Sequence, residues 1–428
     1  MRSFLLGALF LVGCCPSTKK QDPLSFSVLE IKEPLARVNI VDCNGLSETI
    51  TLTDRLKDLS RRNFLDPQPF RKVMRTFLKD GQGRTRSIIT SYYDSGHIRQ
   101  YLECSNGRAC GSYLEWHQNG KKKIQARVCA GVADLNDKAF SSWSFDGPCF
   151  SWEERGSLRA VFSYQHGKLH GPATVFFPSG EKERDLFYVL GLQEGKETLF
   201  YKGGDAQEIL SFSEDLRHGV CQGFKEGGEL LWEEAYEKGL LDRGSYFGSG
   251  GGLLSSVSGG AGLRSVFENG ELVEQHEISQ GRPEGRVSLF SEDGRVAAIY
   301  SVREGKKEGE EVRFFPGSSS PRLSLEWKEG LLHGNVKTWY ENGQLESQRE
   351  MSQNNKQGVA LAWYSNGSLM LAEEYEKDRL LRGQYLKKGD PVPISVVENG
   401  AGHATLFDDS GAVVEKIPYE DGAPSPTS

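Results

Sequence analysis

The sequence has 428 residues, of which 50 are glycine and 37% are apolar, and its formal net charge is −7. Positive and negative residues are interleaved, and the longest basic run is Lys121-Lys122-Lys123, so the sequence gives no support for nucleic-acid binding. With 7 Trp, 15 Tyr and 22 Phe at regular intervals, disorder is excluded for most of the chain. This composition favours a repeat array, because each repeat then needs to bury a face only against its neighbours.

The first twenty residues resemble the export signal of bacterial lipoproteins. An apolar run, Phe4–Val12, follows a single arginine and leads into Leu11-Val12-Gly13-Cys14. The run is too short to span a bilayer. We therefore predict a signal peptide over 1–13 and a lipidated tether over 14–22. The resemblance implies that the thiol of Cys14 carries the lipid and places the protein on the cell membrane or outer membrane, facing the periplasm or exterior. The alternatives are an ordinary cleaved signal and a chain that simply begins with apolar residues.

Residues 23–85 are predicted to form an N-terminal cap that covers the exposed end of the array. Short strands are expected at 26–31 and 36–41. Apolar residues recur at three-to-four spacing in 54–62 and 70–78, which predicts two helices, the first capped by Asp54.

The rest of the chain repeats a hairpin pattern with a period of about 24 residues, seen most plainly in Trp339–Leu345 and its neighbour around Asn366-Gly367. An Asn-Gly pair between apolar runs is the strongest short-range signal for a hairpin. Counting from each turn glycine, an aromatic residue stands at −4, an apolar residue often at +2 and +8, and a second glycine at about +15. Val266 is the exception at −4, and Ser318 replaces one turn glycine. The predicted repeat-core aromatics are Tyr92, Trp116, Trp152, Phe176, Phe200, Phe224, Phe290, Phe314, Trp339, Trp363 and Phe407.

Turn geometry decides which residues face each other. A two-residue loop would place Tyr340 opposite Leu345, whereas a three-residue loop ending in a left-handed glycine would place Trp339 there. We favour the second, because it pairs the recurrent aromatic with an apolar residue across the ladder.

A longer duplication overlies the repeat. Leu230–Phe247 matches Leu369–Leu386, and the matching continues into two longer modules, Ser245–Gly285 and Gln384–Gly422. We divide the array into blocks 86–285 and 286–422, followed by a disordered tail, 423–428. The predicted fold is all-β: an elongated antiparallel meander or solenoid of hairpins with a small N-terminal α/β cap.

The units resemble the variant MORN-type repeat, a short hairpin with a W/F-Y-x-N-G-x-L core followed by Y-x-x-G-x-x-x-G. That core here is Trp339-Tyr340-Glu341-Asn342-Gly343-Gln344-Leu345, and the resemblance covers roughly residues 90–420. It implies a stack of β-hairpins. Bacterial proteins built from such repeats are often labelled antitoxins of toxin–antitoxin systems, so the resemblance also implies toxin neutralisation as an alternative function.

Cysteines and histidines offer two further kinds of site. Outside the cytoplasm, Cys104 with Cys110 and Cys129 with Cys149 are possible disulfides, with buried free thiols as the alternative. The first pair flanks an Asn-Gly turn, and the second brackets an insertion in the array. No C-x₂-C pair exists, so no metal site is predicted. His170, His218 and His333 each precede a repeat glycine and are interpreted as turn residues.

No catalytic constellation can be assembled from residue spacing, and no cofactor or small-molecule substrate is indicated. The carboxylate pairs Glu233-Glu234 and Glu373-Glu374 are interpreted as solvated strand residues. The sequence thus predicts a non-enzymatic, membrane-anchored lipoprotein that binds or scaffolds an unidentified protein. The alternatives are a glycan- or lipid-binding module, which needs an exposed row of −4 aromatics, and an antitoxin or immunity protein.

Overall fold

A computed structural model describes residues 34–68, 71–79, 85–248 and 250–425. Within these ranges the chain forms 37 β-strands and two short helices, and the strands pair antiparallel. The predicted all-β fold with a small N-terminal α/β region is confirmed. The predicted signal peptide, the tether and the strand at 26–31 lie outside the described residues, as do the last three residues of the predicted tail.

The chain divides into two compact units: residues 1–149 with 154–156, and residues 150–153 with 157–428. The first unit contains both helices and a run of long strands. Its elements are β1 Leu35–Asp42, β2 Ser47–Ile50, α1 Thr53–Ser60, β3 Arg71–Lys79, β4 Thr85–Tyr92, β5 Ile98–Ser105, β6 Arg108–Trp116, β7 Lys122–Ala130, α2 Asp137–Phe140 and β8 Ser144–Phe145. The boundary between the units falls within β9, Gly147–Trp152.

The second unit is a succession of hairpins. Its strands are β10 Leu158–Gln165, β11 Lys168–Leu169, β12 Gly171–Phe176, β13 Lys182–Val189, β14 Leu192–Gln193, β15 Gly195–Phe200, β16 Ala206–Ser213, β17 Leu216–Arg217, β18 Gly219–Phe224, β19 Leu230–Glu237, β20 Leu240–Phe247, β21 Leu253–Ser258, β22 Ala261–Glu268, β23 Glu271–Ser279, β24 Arg282–Phe290, β25 Val296–Arg303, β26 Lys306–Lys307, β27 Gly309–Phe314, β28 Pro321–Lys328, β29 Leu331–Trp339, β30 Leu345–Ser352, β31 Asn355–Trp363, β32 Leu369–Glu376, β33 Arg379–Leu386, β34 Pro393–Glu398, β35 Ala401–Phe407, β36 Val413–Glu420 and β37 Ala423–Pro424.

The helix predicted over 70–78 is wrong, because residues 71–79 form β3, which pairs with β1 and β4. Met74, Thr76 and Leu78 are buried at every second position, the period of a strand. Because Thr76, the middle one of these buried residues, is polar, the sequence does not show the alternation of apolar residues that predicts a strand. Its hydroxyl donates a hydrogen bond to the Ile88 carbonyl, which satisfies it in the core.

The first predicted helix is confirmed as α1, although its cap differs from the one expected. Leu52 is the N-cap and gives no side-chain hydrogen bond, while Asp54 lies in the first turn, where its charge favours the helix dipole. Leu56 and Leu59, three residues apart, are the buried positions that fix the helix to the core of this unit. No helix among the described residues is long and apolar enough to cross a membrane.

The first turn has the three-residue geometry favoured above in most repeats, as the repeat of Trp339 shows. Gly343 N donates to Tyr340 O at 2.9 Å and Tyr340 N donates to Gln344 O at 3.0 Å, while Gly343 takes the left-handed region with φ 84°. Trp339 then pairs with Leu345, beside a bulge at Thr338/Trp339. The predicted pairing is therefore confirmed.

The same register recurs along the array. The −4 residue pairs with the +2 residue in Tyr92–Ile98, Trp116–Lys122, Phe176–Lys182, Phe200–Ala206, Phe224–Leu230, Phe290–Val296, Trp363–Leu369 and Phe407–Val413.

Both irregular repeats have a local cause. Where Ser318 replaces the turn glycine, Gly317 takes the left-handed conformation with φ 67°, and Phe314 pairs one residue later, with Pro321. In the repeat with Val266, residues 269 and 270 form a two-residue turn, so the aromatic stands one place later and Phe267 pairs with Leu272. Each irregular residue thus follows from the length or the type of its turn.

A second turn, which the sequence analysis did not identify, lies about midway between one first turn and the next. In the repeat that begins at Gly180 it consists of Leu190 and Gly191, with φ 50° and 95°. Two consecutive residues with positive φ make a type I′ hairpin turn. Gly191 N also donates to Leu169 O in the preceding repeat at 2.7 Å, so this turn stacks one repeat on another.

Two second turns meet the start of a strand wherever a longer module occurs. At the first junction, Gly260 N donates to Asp242 O, Gly281 N to Gly260 O, and Leu241 N to Gly281 O, at 2.8, 2.9 and 3.2 Å. The second junction repeats these bonds at 3.0, 2.9 and 3.0 Å, with Leu380, Leu381, Gly400 and Gly422 in the corresponding places. Each junction folds its module back toward the strand that precedes it, which brings residues far apart in sequence to one site.

Replacing Gly281 by alanine should destabilise the protein more than the same change at Gly305. Both glycines end a second turn, with φ 74° and 76°, so each variant loses about 1–2 kcal/mol from left-handed strain. A Cβ on Gly281 would also lie 2.9 Å from Leu241 O, whereas nothing lies within 4 Å at Gly305. Urea unfolding followed by tryptophan fluorescence should show the larger midpoint shift for G281A, and equal shifts would contradict the junction.

Candidate functional site

The eleven predicted core aromatics lie at different depths. Tyr92 and Phe407 are buried, at 5% and 8% exposure, and the other nine are half-buried. None of the eleven is exposed, whereas stacking on glycans or lipid headgroups requires an exposed row of rings.

The neighbouring −3 position carries an inter-repeat function that the sequence analysis missed. Where this residue is tyrosine, its hydroxyl donates to a backbone carbonyl 22 or 23 residues further along the chain. Burial, followed by the charge of Asp409, raises the pKa of Tyr340 to about 12, so its hydroxyl remains a donor at neutral pH. The four pairs are Tyr93 with Trp116, Tyr201 with Phe224, Tyr340 with Trp363 and Tyr364 with Leu386, at 2.7 to 2.9 Å.

His170 and His218 act in the turns, as the sequence indicated. Their Nδ1 atoms accept hydrogen bonds from the backbone N–H groups of Leu190 and Lys238, at 3.3 and 3.4 Å, in the next repeat's second turn. In other repeats a glutamate at this position does the same; Glu308, for example, accepts from Glu329 N at 2.7 Å. Within the described ranges no group of three or more His, Cys, Asp or Glu side chains is arranged to hold a metal ion.

A buried carboxylate, Glu234 on β19, is the most elaborate polar site in the array. Glu234 is 1% exposed. Its carboxylate accepts hydrogen bonds from the hydroxyls of Tyr236 and Tyr246, at 2.7 and 2.8 Å, and from Arg264 Nε at 2.6 Å. The interpretation of this residue as a solvated strand position is therefore wrong. Its neighbour Glu233 is exposed on the other face of the strand and bonds Gln222.

Arg264 and Arg217 neutralise Glu234 from different strands. Arg264 lies 30 residues further along the chain and reaches Glu234 because the first junction folds its module back. Arg217 Nη1 lies 3.8 Å from the carboxylate, and its guanidinium lies 5.4 Å from the ring centroid of Tyr236. Burial opposes ionisation of Glu234, but Arg264 and the three hydrogen-bond donors outweigh it, so the pKa of Glu234 lies below its ordinary value.

The same centre occurs again in the second block. Glu373 accepts hydrogen bonds from the hydroxyls of Tyr385 and Tyr375, at 2.7 and 3.1 Å. Lys356 takes the place of Arg217: its Nζ lies 3.4 Å from the Tyr375 hydroxyl and 4.5 Å from the ring centroid. Burial and then the charge of Glu373 raise the pKa values of both tyrosines, which keeps them protonated donors.

The two centres differ at the position of Arg264. The hydrogen bond between the hydroxyls of Ser255 and Ser265 in the first module, at 2.7 Å, corresponds to the one between Ser395 and Thr405 in the second, at 2.8 Å. The loop that precedes these strands is one residue longer in the second copy, so the sequence alignment of the two copies shifts by one position after it. Ala404 is therefore the residue that corresponds to Arg264.

Loss of the arginine leaves Glu373 without an ion pair. Among the described residues, no lysine, arginine or histidine nitrogen lies within 4.0 Å of the Glu373 carboxylate, and the residue is half-buried rather than buried. Each of the four buried glutamates in the described ranges has such a cation. The pairs are Glu115 with Lys123, Glu197 with Arg184, Glu234 with Arg264, and Glu311 with Lys307 and Arg313, at 2.6 to 3.2 Å.

The four cysteines considered for disulfides carry free thiols. Cys104 is buried and pairs with Ala109, so the next residue, Cys110, points to the opposite face and is exposed. Cys129 is exposed and donates to Ser144 O at 3.2 Å, while Cys149 is half-buried. Burial raises the pKa of Cys104 to about 12 and that of Cys149 to about 11, which disfavours the thiolate that disulfide exchange requires. Cys14 lies outside the described residues.

Comparison with known proteins supports the repeat. Residues 332–353 match the family described as the MORN repeat variant, which confirms a MORN-type repeat in that segment. No curated protein matches the chain. Among solved structures, the chain is similar to a porin-like protein from Bacteroides uniformis ATCC 8492, with 7% identity, 64% of this chain and 93% of that chain covered, and a TM-score of 0.15. A score this low supports no inference about fold or function.

Replacing Arg264 by methionine should destabilise the protein by up to about 3–5 kcal/mol near neutral pH, because the buried Glu234 would lose its closest cation and keep only Arg217, 3.8 Å away. Arg243→Met is a suitable control: Arg243 pairs with Asp242 on the surface, its side chain is 73% exposed, and loss of such a pair costs about 0–1 kcal/mol. Urea unfolding of both variants measures the difference.

The pH dependence of the Arg264→Met variant should also change sign. In the native protein the folded-state pKa of Glu234 lies below the ordinary value of 4.5. The ionised Glu234 therefore contributes stability above pH 4.5, and this contribution is lost as the pH falls through the folded-state pKa. Without Arg264, burial raises the folded-state pKa, so the variant should gain stability as pH falls from about 7 to about 5. A variant that is no more stable at the lower pH would contradict the assignment of Arg264 as the neutralising group.

Proposed function

We propose that the chain is a non-enzymatic, lipid-anchored repeat protein that binds another protein through an apolar rim on its second unit. The rim consists of the seven side chains Phe187, Val189, Leu190, Leu192, Leu216, Val220 and Leu240. Each is between 38% and 54% exposed. Contiguous exposed apolar surface of this kind is characteristic of protein interaction sites, whereas isolated exposed leucines need no explanation.

The repeat itself makes the rim continuous. Leu192, Leu216 and Leu240 each follow the second turn of their repeat, in three successive repeats. Val189 pairs directly with Leu192 across its hairpin. A Cβ on Gly239, the residue before Leu240, would lie 3.6 Å from Leu216 Cδ2, so neighbouring leucines follow one another along the edge. Burial of a fully exposed leucine gains about 1.5–3 kcal/mol, and these three are 38% to 49% exposed, so each gains roughly half of that or less when a partner covers it.

The membrane anchor is supported by sequence. The apolar run that ends in Leu11-Val12-Gly13-Cys14 has the length and the small residue before cysteine that lipoprotein signals have. Acyl chains on Cys14 would tether the repeats to a bilayer by burying methylene groups, at about 0.8 kcal/mol each. The rim would then face partners at the membrane surface.

Replacing Leu192 and Leu216 by glutamate should abolish capture of the partner, because two charges would have to be buried in the interface. Full-length protein can be affinity-purified from cells that produce it and its co-purifying proteins quantified by mass spectrometry. Leu331→Glu is the matched control, since Leu331 occupies the same repeat position outside the rim and is 40% exposed. A partner recovered equally with the double variant and the control would refute the rim.

Replacing Cys14 by serine should remove lipid labelling and release the protein from membranes, because the thiol at the lipidation position of the signal is then missing. Growth with an alkyne analogue of palmitate, followed by fluorophore coupling, measures the labelling. Cys15→Ser is the control, since the neighbouring thiol should be dispensable. Unchanged labelling of the Cys14→Ser variant would exclude the anchor while leaving the rim untouched.

A further inference from the structure

The two carboxylate centres provide an internal comparison. Both combine a glutamate on the strand after a first turn with one tyrosine two residues later on that strand, and another twelve residues later on the next strand. The hydrogen bonds between hydroxyl and carboxylate match in the two copies, and so do the junction bonds that fold each module back. The first centre therefore shows which ligand this arrangement accepts.

In the first centre that ligand is a guanidinium. Arg264 Nε and Nη2 lie 2.6 and 3.4 Å from the two carboxylate oxygens of Glu234. Each carboxylate oxygen has two acceptor positions, so one tyrosine hydroxyl on each leaves room for a forked donor.

In the second centre the internal guanidinium is missing. Ala404 occupies the position of Arg264. On the strand that pairs with it, Ile417 takes the place of His276 and Tyr419 takes the place of Ile278. Tyr419 is half-buried and lies close enough that, after burial, the charge of Glu373 raises the pKa of its hydroxyl. The second centre thus keeps the carboxylate and its two hydroxyl donors, gains an aromatic ring, and lacks the cation.

We infer that the Glu373 centre binds a guanidinium supplied from outside, the side chain of an arginine on a bound protein. This inference rests on the proposed function for the source of the arginine, and the site itself is separate from the apolar rim. The incoming group would pair with Glu373 as Arg264 pairs with Glu234. The half-exposed position of Glu373 leaves it accessible, where the first centre is closed by its own chain.

Neighbouring charges are compatible with this assignment. Lys356 lies on the ring of Tyr375, and its counterpart Arg217 coexists with Arg264 in the first centre. Burial raises the pKa of Tyr375 and the charge of Arg349 partly opposes that rise, so the Arg349 guanidinium also acts on this centre. Arg349 lies on the same face, opposite Ala360, which in turn pairs with Glu373, but its side chain is exposed. A guanidinium suits the site better than an ammonium, because its planar fork matches a carboxylate and stacks on an aromatic ring such as Tyr419.

The probe for this site is N-acetyl-L-arginine methylamide, titrated into full-length protein carrying ¹³C-labelled tyrosine rings and followed by NMR. We expect saturable shifts of the Tyr375 and Tyr385 resonances, with the first centre's Tyr236 and Tyr246 unmoved. The neutral isostere N-acetyl-L-citrulline methylamide should give no saturable shift. The lysine analogue should bind at least about tenfold more weakly than the arginine probe, and equal binding would overturn the assignment to guanidinium.

Two variants complete the test. Glu373→Gln should weaken binding of the arginine probe at least about tenfold, since it removes the charge and keeps the shape. Ala404→Arg with Tyr419→Ile rebuilds the first centre's pair of residues, so its own arginine should occupy the site and abolish the response. An unchanged response in Glu373→Gln, or no saturable shift in the native protein, would overturn the inference.

The rim variant separates this inference from the proposed function. Leu192→Glu/Leu216→Glu should respond to the arginine probe like the native protein, because the rim and Glu373 occupy different repeats. Loss of partner capture with probe binding retained would therefore support the site independently of the rim, and a rim variant that no longer bound the probe would overturn their separation.

Discussion

The left-handed backbone of the first turn determines which side chains face each other in a repeat. Gly343 closes a three-residue loop, and the adjoining bulge places Trp339 opposite Leu345. That pairing fixes the face of the sheet on which every later side chain of the hairpin lies, because successive side chains alternate between the two faces. In the repeat of Phe224 and Leu230, the same register places Glu234 opposite the buried Cys221. A slip of one residue would expose Glu234 and bury Glu233 instead, so the carboxylate centre depends on the turn.

The sequence was sufficient to predict the first turn and its register, because Asn-Gly carries a local signal that needs no knowledge of the rest of the fold. The second turn has a weaker signal. In three repeats its residues are Glu214-Asp215, Gln353-Asn354 and Lys377-Asp378, which contain no glycine. Their strained backbones are held by the preceding repeat: Asp378 N donates to Lys356 O, and its carboxylate accepts from Lys356 N. That support is tertiary, and a single-sequence argument does not contain it.

The carboxylate centre was missed for a related reason. Glu233 and Glu234 look alike as neighbours in a strand, and only the placement of Arg264 thirty residues away distinguishes them. The duplication held the available clue, since Glu234, Tyr236 and Tyr246 all recur in the second block, as Glu373, Tyr375 and Tyr385. The difference at Arg264 was hidden, because the loop that precedes these strands differs in length by one residue between the two modules. Ala404, not His403, is therefore the residue equivalent to Arg264.

The divergence of the two centres follows from the energetics of buried charge. An ionised carboxylate as buried as Glu234 is costly unless a cation accompanies it, and Arg264 meets that requirement within the chain. Once the arginine is replaced by alanine, the carboxylate must become neutral, move toward water or obtain a cation from another molecule. Glu373 is half-buried and keeps both tyrosine donors, one on each carboxylate oxygen. The Glu373 carboxylate thus keeps its hydrogen-bond donors, is partly exposed to water and has no cation from its own chain. An external guanidinium gains most from binding to a carboxylate in this state.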